Sequence, residues 1–414
     1  MNPFVQNKER LFGEILTTYF NQHEITEFSE KYLTEISIKK KLPSGTSVSN
    51  KNQIQLELKD DTSFRSNVDL LITFASTKLD NHKFLEFLLT AGQASITAGE
   101  FILAVDIHEK ILSTTRKIPQ LSDITANAYL ALGELYSRQA LWKESKLNIN
   151  KADKLFSKLS DLKGRSKCEN LLGTIYGDYG NMHKSKAHFE KSLKYLDKTD
   201  DTALRGKVEI NLGITHTVQE NFDIALSYFK RAIVNFQRIG DLKRISEIHH
   251  NIGMVHLKKN YYEDALIEFD QSISAALQAG FLPTLSITYI SKAYLFTLLE
   301  DFVLAGAFAE KAMDIAYKIN DKLTIAEVYK VKGIIERNLN NFDLSENYLL
   351  TSLRLNNELN NKLNQAETSY ELGVLYKDIK RKKDSHYYLN TALQYYKKIN
   401  AAAEIENIRT CLQN

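Results

Sequence analysis

The stretch Glu209–Ile233, EINLGITHTVQENFDIALSYFKRAI, decides the architecture. It reads as two helical runs separated by a polar break at Glu220–Asn221, yet Gly213 sits inside the first run. A glycine in a helix interior costs about 1 kcal/mol against alanine, so something must require it. Ala225 and Ala232 follow at +12 and +19. Counterparts of Gly213 stand at Gly133, Gly173, Gly253, Gly333 and Gly373, all separated by multiples of 40, with Ala293 in the remaining slot. The +12 column is Ser145, Ser185, Ala225, Ala265, Ala305, Ser345 and Ser385. The +19 column is Ala152, Ser192, Ala232, Ser272, Ala312, Ser352 and Ala392. Three positions small in all seven copies establish an internal repeat, and a repeat of this length is the signature of stacked supersecondary units.

Apolar residues within each unit recur at i, i+3, i+4 and i+7, which is helical spacing. Large, mostly aromatic residues occupy the +3 column (Tyr136, Tyr176, His216, His256, Phe296, Tyr376, with Glu336 the exception) and the +9 column (Trp142, Met182, Phe222, Tyr262, Phe302, Phe342, with Lys382 the exception). Each unit is therefore two antiparallel helices joined by a tight turn. The junctions IGDLKR, INDKLT and LNNKLN repeat as well. Gly240, Asn320 and Asn360 suit the left-handed residue that ends a helix, and Asp241, Asp321 and Asn361 suit the N-cap of the next. The small residues are expected where backbones approach, with Gly213 facing Ala225 inside one unit and Ala232 admitting the first helix of the next.

Leu212, Gly213, Phe222, Ala225, Phe229 and Ala232 resemble the tetratricopeptide repeat signature, in its 40-residue variety as in kinesin light chains, spindle-orientation adaptors and bacterial repeat arrays. The resemblance covers about residues 126–400 and, more weakly, 82–120. It departs from the family in lacking the usual glycine at the intra-unit turn and the proline near the unit's end. It implies an all-α fold, an α-solenoid in which antiparallel helix hairpins form a right-handed superhelix. The expected organisation is an N-terminal helical segment and linker (1–60), a capping helix with a divergent first repeat (61–125), seven repeats (126–400) and a C-terminal capping helix (401–414). Within 1–60, helices are expected over about 6–20 and 24–38, a linker over Leu42–Gln53 and a short strand over Gln53–Asp60.

The 414 residues are 43% hydrophobic and 25% charged, with a formal net charge of +3. That balance lacks the basic footprint of a nucleic-acid or anionic-membrane binder. The lysine cluster at Ile38–Pro43 reads as a solvated helix end. Cys168 and Cys411 form no metal or disulfide pattern and suit a reducing compartment. There is no apolar run of transmembrane length. A cytoplasmic protein, with no membrane insertion, is expected if this chain is the whole protein.

HExxH, a phosphate loop and GxSxG are absent, and carboxylates are scattered. No catalytic residue, metal or cofactor is expected. His249, His250 and His256 look clustered, but His216 and His256 occupy an aromatic column and read as packing residues. The chemistry expected is binding of a protein or peptide partner. In the family the first helices line the concave face, so the groove falls at fixed slots around the glycine. Those slots hold Lys167, Asn170, Lys207, Asn211, Asn251, Met254, Tyr294, Lys330, Arg337 and Lys377. An asparagine amide both donates and accepts, as holding an extended peptide backbone demands. The resemblance carries this role to Asn211 and Asn251, and assigns basic neighbours to acidic groups of the ligand, without reproducing the family's full carboxylate clamp. Two readings follow: an interaction scaffold, or a regulatory module responsive to a peptide or partner, with the N-terminal segment as output or autoinhibitory element.

Overall fold

The computed structural model describes residues 3–32 and 64–413 apart from 99, 140 and 320, with side chains from Arg10 onward. The expected linker, the lysine cluster, the strand and the junction residue Asn320 lie outside the described residues. The chain divides into two compact units, Met1–Cys168 and Glu169–Asn414.

The first unit contains α1 (Pro3–Tyr19), α2 (Gln22–Tyr32), α3 (Phe64–Lys78), α4 (Asn81–Thr97), α5 (Phe101–Thr115), α6 (Ser122–Arg138) and α7 (Trp142–Lys158). The boundary falls inside α8 (Leu162–Asp178). The second unit continues with α9 (Met182–Leu196), α10 (Thr202–Val218), α11 (Phe222–Ile239), α12 (Leu242–Lys258), α13 (Tyr262–Ala279) and α14 (Leu282–Leu298). It ends with α15 (Phe302–Lys318), α16 (Lys322–Asn338), α17 (Phe342–Glu358), α18 (Lys362–Asp378), α19 (Lys382–Ile399) and α20 (Ala402–Gln413). Consecutive helices pack as antiparallel pairs, and within the second unit each pair packs on the next. The expected first helix extends earlier than placed, and α2 is described only to Tyr32.

In the first unit, Phe12, Leu16, Phe28, Phe74 and Phe87 are fully buried in one core with α4 and α5. The N-terminal helices therefore dock by apolar packing. In the second unit the helix ends obey backbone rules. Gly240, Gly280, Asn360 and Asn400 adopt left-handed φ at the junctions between pairs, and Glu220, Asn260, Glu300, Asn340 and Lys380 do so at the turns within pairs. The side chains of Asp241, Asp321 and Asn361 accept from backbone N–H groups of the following helix, satisfying donors that a helix start leaves orphaned.

Gly213 faces the Phe229 ring rather than Ala225: a Cβ there would lie 2.7 Å from Phe229 Cζ and closer still to Cε1. The same relation pairs Gly173 with Phe189, Gly253 with Phe269, Gly333 with Leu349 and Gly373 with Leu389. The glycine is thus the hole for a large side chain sixteen residues on. Where the slot is Ala293, the residue at +16 is Ala309, and both are fully buried. Serines at +12 fill a different need: Ser345 and Ser385 donate to the carbonyls of Gly333 and Gly373 at 2.7 and 2.8 Å.

Candidate functional site

The first helices of successive pairs in the second unit bring one row of amides together. Asn211 Nδ2 on α10 donates to Asn170 Oδ1 on α8 at 2.9 Å. Each side-chain amide offers two donors and a twofold acceptor, so this single bond leaves most of their capacity unused. Asn251 stands on α12 in the slot that Asn211 occupies on α10, and all three are half-buried. A polar, partly dehydrated row is suited to main-chain N–H and C=O groups of a bound segment.

Met254 and Tyr294 join one apolar cluster with Leu257, Phe269 and Leu295. Burial, with Glu371 nearby, pushes the Tyr294 hydroxyl up to about 12.

The basic slots come out differently from expectation. Lys330, 9% exposed, bonds Glu367 and lies 2.8 Å from Glu327. Arg337 Nη1 lies 2.8 Å from Glu371, and its Nε lies 3.8 Å from Asp378. Neither is an open cation for a ligand, because the next first helix places a carboxylate within reach. Glu367 and Glu371 occupy the same repeat slots as Lys207 and Asn211, so reading those slots through all units would have found them. Lys207 is exposed and Lys377 half-buried, while Lys167 belongs to the first unit.

The C-terminal helix does more than cover the last pair. Ile399, Ala401 and Ile408 cluster with Val218 at the end of α10, together with Tyr370, Cys411 and Leu412. Lys258 Nζ at the end of α12 lies 3.2 Å from Glu404 Oε1. At the turn after α8, Gly180 has φ +72°, and a Cβ there would collide with Ile399 Cγ2. The final helices therefore touch three helix pairs that precede them by some 150–220 residues. Sequence periodicity cannot show this, because it describes neighbours along the chain and not those a curved array brings back.

Asp178, at the end of α8, keeps a solvent-exposed edge, yet burial among these elements pushes its carboxyl up to about 6. A carboxyl raised above its unfolded value contributes stability that is fully present below about pH 4 and lost as the pH rises through 6. Asp178→Asn should therefore match the wild type at pH 3.5 and exceed it at pH 7.5. Urea midpoints across that range check it, and a constant difference would exclude this origin.

The histidines are dispersed. His249 Nδ1 lies 2.7 Å from Glu268 Oε2. His250 packs on the Phe269 ring, and burial holds it down at about 4. His216 stacks on Tyr228 with centroids 5.6 Å apart. Among the described residues no three His, Cys, Asp or Glu side chains group as metal ligands, and no helix is long and apolar enough to cross a membrane.

Residues 246–278 match the tetratricopeptide repeat family model. No curated protein matches the chain in sequence. Among solved structures, the Rap protein complexed with Competence and Sporulation Factor superposes with TM-score 0.65 at 13% identity, covering 81% of this chain and 92% of that one. The Rap conjugation gene regulator of plasmid pLS20, in complex with the Phr* peptide, gives 0.61 at 17% identity, covering 82% and 91%. The apo quorum sensor NprR from B. thuringiensis gives 0.57 at 14% identity, covering 80% and 93%. At these identities the likeness is one of fold: a helical solenoid of the tetratricopeptide type.

Proposed function

We propose that the protein is a non-enzymatic receptor for a peptide or an extended segment of a partner protein, held along the row Asn170, Asn211 and Asn251. The observation that carries this reading is the Asn211–Asn170 bond. It orients two amides and leaves Asn211 Oδ1 and Asn170 Nδ2 for main-chain groups of a ligand. Met254 on α12 and Tyr294 on the following first helix, α14, supply apolar surface. Because Lys330 and Arg337 are already neutralised, recognition rests on the amides and not on a clamp for a carboxylate. Lys207 remains a candidate on the same helix as Asn211, Lys377 a candidate on α18, and Lys167 a candidate in the first unit.

A regulatory output is favoured by a specific feature. The cluster of the last two helices with Val218 and the Lys258–Glu404 pair tie the chain's end to the helices that carry Asn211 and Asn251. A ligand that shifts α10 or α12 would change these contacts. Structures of similar fold include a Rap protein complexed with Competence and Sporulation Factor, a Rap regulator complexed with the Phr* peptide and an apo quorum sensor, in keeping with a peptide-responsive regulator.

The test uses short peptides enriched by the wild-type protein from a random synthetic pool. Asn211→Ala combined with Asn251→Ala should weaken them at least tenfold in calorimetric titration, with an unchanged urea midpoint. Equal affinity in a folded double variant would reject the amide row as the site.

A further inference from the structure

We propose that the α10–α11 hairpin carries a second, separate binding site: a cationic cleft that takes an acidic helical segment of a partner protein. The cleft, of about 800 Å³, is lined by Arg205 and Glu209 from α10 and by Asp223, Leu226, Lys230, Arg231, Val234 and Arg238 from α11. Its size falls in the range of ligand sites. On α10, Glu209 is two residues from Asn211, which at 3.6 residues per turn sets it about 160° round the helix. The cleft therefore faces away from the amide row.

Four cations meet two carboxylates here, and both carboxylates are engaged. Glu209 is 4% exposed and held by Arg231 Nε at 3.2 Å and Asn235 Nδ2 at 3.1 Å. Asp223 lies 3.5 Å from Lys259. Arg205 reaches Asp197 at 3.0 Å. Lys230 and Arg238 are exposed and, among the described residues, have no acidic partner, so their charge is available to a ligand.

The repeat supplies an internal control. Shifted by 40, the positions of Arg205, Lys230, Arg231 and Arg238 become Ile245, Asp270, Gln271 and Gln278 on α12 and α13, which pack as an equivalent pair. Of the seven units, this one alone has cations at all four positions. Helix pairing does not require them, so their convergence points to recognition.

The occupant follows from the arrangement. Leu226, Lys230, Val234 and Arg238 form an i, i+4 row down α11, alternating apolar and cationic. Lys230 and Arg238 are about 12 Å apart along the axis at 1.5 Å per residue. A helix carrying carboxylates two turns apart, with an apolar residue on the turn between them, matches both features. A compact phosphate would satisfy the cations and leave Leu226 and Val234 uncovered.

The probe is a fluorescein-labelled helical peptide of 18 residues with Glu at two-turn spacing and Leu between, titrated against the full chain by anisotropy. Saturable binding is expected, weakened at least tenfold by Lys230→Ala with Arg238→Ala and by Glu→Gln in the peptide, and unchanged by Asn211→Ala with Asn251→Ala. Both cations are exposed and without an acidic partner among the described residues, so the variant keeps its fold, checked by its urea midpoint. Absence of saturable binding overturns the proposal. So does an equal loss with the control pair Lys382→Ala and Lys383→Ala, exposed lysines on α19. Displacement of the peptide by millimolar inorganic phosphate also overturns it, making the cleft a simple anion site.

Discussion

Gly213→Leu is expected to destabilise the second unit by about 3 kcal/mol, the upper range for overpacking a tight core. The new side chain has nowhere to go, because the Phe229 ring already fills the space at Cβ distance. Phe229 is fully buried, so Phe229→Ala alone should cost about 3–5 kcal/mol through the cavity it leaves. The informative variant joins Gly213→Ala to Phe229→Ala, which recreates the Ala293–Ala309 pair of another unit. Two alanines allow the helices to close over the lost ring, and the added methyl improves helix propensity by about 1 kcal/mol. The double variant should therefore be more stable than the sum of the single effects by about 1–2 kcal/mol, within the usual coupling of residues in contact. Urea unfolding followed by circular dichroism measures the cycle. Strict additivity would mean that the glycine does not serve as the socket for the ring.

The second large effect is expected at Lys330. Burial disfavours its charge, but Glu327 and Glu367 overcome that and hold the ammonium well above its usual range. Burial likewise pushes the Glu327 carboxyl up, with Lys330 opposing. Lys330→Met leaves these carboxylates without their cation, and breaking a buried pair in this way costs about 3–5 kcal/mol. The loss depends on pH with a definite sign. Below the unfolded carboxylate value near 4.5 the carboxyls take up protons and the variant approaches the wild type. As the pH rises above it, the folded variant must either retain those protons or bear unpaired charge, and the deficit grows. Urea midpoints at pH 4 and pH 8 should therefore differ for the variant far more than for the wild type. Adding Glu327→Gln and Glu367→Gln should recover much of the loss at pH 8. A deficit equal at both pH values would assign the effect to packing.

The helix pairs were legible because their causes are local. Small residues at fixed spacing, N-caps such as Asp241 and Asp321, and the left-handed ends at Gly240 and Asn360 act over a few residues, so each leaves a mark in its own segment. Even the socket is half legible: the spacing marks Gly213 as a close approach but points to Ala225 as its partner. Phe229 stands in the repeat signature, but its pairing with Gly213 is not legible as a column, because Phe229, Leu349 and Ala309 share no single size. What they share is complementarity to the residue they face, which appears only when two columns are compared.

The residues of the proposed site are legible as positions and not as chemistry. Asn211 and Asn251 fall in one slot by periodicity, but the bond from Asn211 to Asn170 depends on the spacing between first helices. Lys330 and Arg337 looked like free charges until the next helix supplied Glu367 and Glu371.

The sequence by itself determined the repeating helix pair, its caps and the row of amides, because backbone preference and hydrophobic periodicity are properties of short segments. Only the tertiary structure decided which charges remain open and where the chain's end lies. The availability of a side chain is set by what packs beside it. Helices that meet Val218, Lys258 and Gly180 across some 150–220 residues do so through the accumulated small rotations of each stacked pair, which no local pattern records.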